Sequence, residues 1–139
     1  MKIPEIWTEY DDKNLHIKEL KKKYIEYVKS NFIKTPHLII ENENKKWKIE
    51  ISTQVFKEWR QKSRTKHRIL AIKLFDEMLR TAVFVKTEKD NKNTRGIESV
   101  SEFENWCKID GKLYKIRIII KKQPNRYFAY YYGAVEQYI

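Results

Sequence analysis

After Asp110-Gly111 the residues from Leu113 to Lys121 sort into two faces with a period of two. Tyr114, Ile116, Ile118 and Ile120 fall on one side of an extended strand. Leu113, Lys115, Arg117, Ile119 and Lys121 fall on the other. Successive side chains of a strand point to opposite faces, so this run specifies a sheet with one apolar and one cation-bearing face. Asp-Gly is a strong hairpin turn signal and calls for an antiparallel neighbour just before it. Residues 96–108, with Val100, Phe103 and Trp106, supply that neighbour. Gln123-Pro124-Asn125 turns the chain again into an aromatic strand at 126–132, and Val83-Phe84-Val85 adds a short strand before a polar loop at 89–94.

The first half reads differently. Ile17, Leu20, Tyr24, Val28 and Phe32 recur every three or four residues, which predicts an amphipathic helix over about 14–33. Asp11, Asp12 or Asn14 is positioned to cap it, and Thr35-Pro36 stops it. Leu38-Ile39-Ile40 and Trp47-Lys48-Ile49-Glu50-Ile51 flank a polar turn and read as a hairpin. Val55, Phe56 and Trp59 mark a short helix, and Ile72, Phe75, Met78 and Leu79 the inner side of a longer one over about 65–82. Helices first and antiparallel strands after give an α+β fold. Residues 1–12 read as an irregular lead-in.

A chain of 139 residues favours one domain. Its formal net charge is +11, which points to nucleic acid, an anionic membrane surface or an acidic protein as partner. No apolar run approaches the roughly 20 residues of a spanning helix, so no membrane insertion is expected. The N-terminus lacks the apolar core of a signal peptide. The single Cys107 excludes an internal disulfide and a cysteine metal cluster, and fits a reducing, cytoplasmic working site. No metal and no cofactor are expected: HExxH, a Gly-rich phosphate loop and GxSxG are all missing from the sequence.

Charge is concentrated at 57–73, where Lys57, Arg60, Lys62, Arg64, Lys66, Arg68 and Lys73 face a single acid, Glu58. His67 sits inside this run. Cations concentrate phosphate, and an imidazole exchanges protons near neutral pH. RNA can be cut without metal by its own 2′-hydroxyl. The protein must take the 2′ proton, supply one to the 5′ leaving oxygen and stabilise the phosphorane charge. His67 suits the first or second task and Arg117, with Lys115 or Lys121, the third. Tyr127, Tyr130, Tyr131 and Tyr132 can stack bases or share a proton. Each feature also has a plainer reading: a half-exposed histidine at a helix start, a solvated helix face, the wet side of a sheet, and core or edge aromatics. Glu98 is either a base or a surface residue, and His16 and His37 are read as inert.

The order of features resembles a known group. Lys66-His67 on a helix is followed by Leu79-x-x-Ala82-Val83-Phe84-Val85, a polar loop, Asp110-Gly111-Lys112-Leu113-Tyr114-Lys115-Ile116-Arg117 and a closing Tyr130-Tyr131-Tyr132. Over about 47–136 this is similar to the small nuclease domains grouped with barnase, EndoU, colicin-type tRNases and RelE, found in phage and polymorphic toxins. The resemblance implies N-terminal helices packed on a four-stranded antiparallel sheet whose face holds the active site. Residues 1–46 are then an added helix and hairpin, or a link to a delivery region of a longer secreted or injected protein. It further implies metal-independent cleavage of RNA, often tRNA, to a 2′,3′-cyclic phosphate, and a cognate acidic immunity or antitoxin protein. Carried over by position, His67, Arg117 and Tyr131 form the catalytic set, and Lys66, Arg68, Arg95, Lys115 and Lys121 bind the RNA. The sequence departs from the group in lacking a second histidine of the EndoU kind and a Glu–His pair of the barnase kind. The alternative reading is a basic nucleic-acid-binding or inhibitor protein without catalysis.

Overall fold

The computed structural model describes residues 2–33, 38–90 and 96–138. The first helix, α1 (Ile17–Val28), buries Leu20, Tyr24 and Val28, the stripe that its spacing specifies. None of Asp11, Asp12 and Asn14 caps it. His16 is the cap residue and contributes no side-chain bond. Asp12 is instead fully buried, where it accepts hydrogen bonds from Lys23 Nζ (2.6 Å) and Tyr24 Oη (3.0 Å). Burial alone would push its carboxyl up, but these two donors hold it below the usual value.

The next helix, α2 (Thr53–Lys62), starts at Ser52, whose hydroxyl accepts the Gln54 amide at 3.3 Å. The expected long helix at 65–82 is three pieces: α3 (Lys66–Leu70), a 3-10 stretch at Ala71–Leu74 and α4 (Phe75–Thr81). Ile72, Phe75, Met78 and Leu79 all point inward, as their spacing specifies.

Among the described residues, seven strands form a single sheet. They are β1 (Glu5–Ile6), β2 (Ile39–Glu41), β3 (Lys48–Glu50), β4 (Val83–Lys89), β5 (Ser99–Ile109), β6 (Lys112–Gln123) and β7 (Arg126–Tyr138). The order is β1-β5-β6-β7-β3-β2, with β4 also on β5. The fold is therefore α+β, but the sheet is mixed and larger than the expected four antiparallel strands. Two N-terminal pieces account for the difference. The lead-in supplies β1, parallel to β5 through Glu5↔Lys108 and Ile6↔Ile109. The hairpin β2–β3 joins the far side, where β3 runs parallel to β7 through Ile49↔Tyr127 and Glu50↔Phe128.

The alternation in β6 appears as drawn from the sequence. Tyr114, Ile116, Ile118 and Ile120 are buried, and Arg117 is exposed. The buried side meets the helices in one core with Phe75, Trp59, Leu20 and Tyr132. Tyr132 Oη closes this layer by donating to the Ala71 carbonyl at 2.6 Å. Cys107 lies in the same core, and burial raises its thiol to about 12. No helix among the described residues is long and apolar enough to cross a membrane.

Candidate functional site

Two cavities contain several of the residues singled out from the sequence. The first, of about 560 Å³, is lined by Trp7, Lys13, Lys66, His67, Asp110, Lys112 and Tyr114 among others. It opens where the start of α3 meets the β5–β6 turn. That turn places Asp110 and Gly111 at φ of 52° and 79°, the left-handed pair a tight hairpin needs. Lys112 and Tyr114 follow at the start of β6.

His67 is half-buried here. Its ring stacks on Tyr114 with centroids 4.4 Å apart and planes at 18°. Its Nε2 lies 3.3 Å from Thr65 Oγ1. Burial, then the charges of Arg68 and Lys112, hold its pKa below the ordinary histidine value. This shift favours the neutral imidazole, the form able to accept a proton. Lys66 reaches the carbonyl of Lys13 at 3.3 Å, which draws two cations to one rim. Asp110 is occupied: it accepts from the Thr8 amide (2.6 Å) and the Thr8 hydroxyl (2.5 Å). Among the described residues, no group of three or more His, Cys, Asp or Glu side chains is placed to hold a metal ion.

The second cavity, of about 430 Å³, is lined by Lys62, Val100, Arg117, Ile119, Lys121, Tyr130 and Tyr131. Arg117 and Ile119 belong to the side of β6 that faces away from the core. Arg117 is paired with Glu102 at 2.5 Å, and Lys62 with Glu58 at 3.0 Å. Lys121 Nζ lies 3.4 Å from the Tyr130 ring centroid, and burial lowers its pKa. Tyr131 is opposite Ile119 and Ala129 opposite Ile120, so Tyr130 is the extra residue of a bulge. Without that bulge, Tyr130 and Tyr131 would alternate across the strand.

Tyr131 itself is nearly buried. Its ring lies over Gly133, where an added Cβ would sit 2.5 Å from the hydroxyl and 3.0 Å from Cζ. Gly133→Ala must therefore displace the ring. The expected cost is about 1–3 kcal/mol, seen as a shift in the urea midpoint. In a Tyr131→Ala background the cost should vanish. A penalty that persists there would place the conflict in the backbone instead.

The catalytic set expected from the sequence is thus divided. His67 and Lys66 line the first cavity, while Arg117, Lys121 and Tyr131 line the second. Lys115 lines neither of these cavities and pairs with Glu104 at 3.2 Å. Arg68 donates to the Lys62 carbonyl at 3.3 Å, a helix-terminal contact at the end of α2. Glu98 pairs with Lys122 at 3.3 Å. Arg95 and His37 lie outside the described residues. Sequence reasoning missed Trp7, Lys13 and the pairing of His67 with Tyr114, and had Lys62 only as one of the cations of the 57–73 run. Lys112 carried a signal, because it follows the Asp-Gly turn directly. Trp7 carried none, because the strand before it is recognisable only from its distant partner.

A family model described as large polyvalent protein-associated domain 3 matches residues 16–131. Comparison with curated proteins and with solved structures returned no match.

Proposed function

The chain belongs to this large polyvalent protein-associated domain 3 family, and from the cavity around His67 we propose that it cleaves RNA there without a metal. One observation carries the reading. A half-buried imidazole, whose pKa is held below the ordinary histidine value, sits in a cavity with three lysines, Lys13, Lys66 and Lys112. His67 takes the proton of the 2′-hydroxyl, the 2′ oxygen bonds to phosphorus and the bond from phosphorus to the 5′ oxygen breaks. The leaving oxygen takes its proton from water. Lys66 and Lys112 offset the charge that builds on the phosphorane, the role first given to Arg117. Arg117 and Lys121, at the second cavity that Tyr131 also lines, hold the RNA elsewhere, with Lys115 and Arg68 in support.

The net charge of +11 adds a salt-sensitive attraction to the RNA backbone. A toxin role in the cytosol, restrained by an acidic inhibitor, follows from the same reading, since opposite charge steers such a pair together. Digestion of total RNA in EDTA tests it. The expected products end in 2′,3′-cyclic phosphates, and RNA left intact by the folded protein would overturn the proposal.

The second reading is RNA binding without turnover. The division of His67 from Arg117 and Tyr131 favours it, because His67 lines one cavity and the arginine expected to act with it lines another. It predicts affinity that falls with salt, at a slope of about −0.7 per phosphate contacted, and no cleavage.

A further inference from the structure

Trp7 is 63% exposed, yet the backbone that carries it is firmly held. Lys108 N donates to Pro4 O (2.8 Å) and Asp110 N to Ile6 O (3.0 Å) on one side of it. Thr8 binds Asp110 through both its amide and its hydroxyl on the other. The indole rests by one edge on the β5–β6 turn, where a Cβ on Gly111 would sit 3.6 Å from Trp7 Cη2. Trp7 does not belong to the buried core cluster. A large aromatic ring presented to water on anchored backbone offers a flat apolar face together with an N–H donor. It lines the cavity that also contains the stacked His67–Tyr114 pair, with Lys13, Lys66 and Lys112 around it. The family match begins at residue 16, so Trp7 lies before it.

We propose that Trp7 is the stacking wall for an unpaired base of the RNA, whose phosphates lie on Lys13, Lys66 and Lys112. This rests on the RNA reading above and gives it a substrate class. A base must leave a duplex to stack on a side chain, so the site takes single strands. Trp7 positions the substrate and leaves proton transfer to His67.

The test uses the full chain and a fluorescent 2′-O-methyl RNA oligonucleotide, which lacks the attacking hydroxyl and so reports binding alone. Trp7→Ala should weaken single-strand binding roughly 5- to 100-fold, the range that base–aromatic stacking supplies. Trp7→Phe should restore most of it, and neither change should alter binding of the annealed duplex. Equal thermal midpoints for the three proteins establish that the fold is intact. Undiminished binding by Trp7→Ala would overturn the proposal. So would equal dependence of the duplex on Trp7, or displacement of the RNA by polyglutamate as readily as by unlabelled RNA. Binding that depends on Trp7 in a protein that cuts no RNA would leave this inference standing and remove only the catalytic reading. A wild-type protein that binds no RNA removes both.

Discussion

Replacing His67 with alanine is expected to lower RNA cleavage by about 10²- to 10⁴-fold, the usual contribution of a positioned proton carrier. Binding of an uncleavable oligonucleotide should change little, because Lys13, Lys66 and Lys112 remain. The pH profile gives the sign. His67 accepts a proton only when neutral, and its pKa lies below the ordinary histidine value because of burial and the nearby Arg68 and Lys112 charges. The ratio kcat/KM should therefore rise with pH through that lowered pKa and level off before an unperturbed histidine would allow. Lys112→Ala removes one of the charges, so the midpoint should move up while maximal activity falls. A profile that descends over this range would make His67 the proton donor. Undiminished cleavage by His67→Ala would remove it from the mechanism.

The largest expected effect on stability is at Asn42. Its side chain is fully buried and makes three bonds. Nδ2 donates to the carbonyls of Leu79 and Ala82, each at 2.9 Å, and Oδ1 accepts the Lys45 amide at 2.9 Å. The β2–β3 turn is thereby tied to the end of α4. Asn42→Ala leaves three backbone groups without these partners. Each such loss costs about 1–3 kcal/mol when the group stays buried, so a total of ~3 kcal/mol or more is expected. For a domain of this size that lowers Tm by roughly 10 °C. Asn42→Asp should be worse, because it keeps an acceptor, loses both donors and buries a charge. Thermal and urea unfolding measure both variants. A loss below about 1 kcal/mol would mean that water replaces the amide at this corner.

Local patterning carried much of the fold. The stripe of α1, the alternation of β6 and the Asp110-Gly111 turn each depend on neighbours a few residues apart. The parallel pairings do not. Glu5 meets Lys108 and Ile49 meets Tyr127 across most of the chain, and no spacing near either residue announces it. A sheet expected with four strands therefore has seven. The division of the candidate site was half legible. The alternation of β6 already sets Tyr114 and Arg117 on opposite faces. What it lacked was the position of α3, which brings His67 onto the Tyr114 side. The bulge at Tyr130 was not legible either, since it is a property of the β6–β7 register rather than of the tyrosines.

Those long-range pairings have a consequence for how the chain is made. Among the first three strands of this domain to be synthesised, β1 and β3 have sheet partners that are made much later. β3 waits for β7, which closes at Tyr138. Contacts so distant in sequence form late, because the entropy of closing the loop must be met before the pairing stabilises anything. The walls around His67 have the same origin: Trp7 is held by β5, and Lys112 and Tyr114 belong to β6. A growing chain surrounded by ribosomal and transfer RNA therefore presents no assembled cavity. The pocket proposed to act on RNA comes into being only once translation has passed β6.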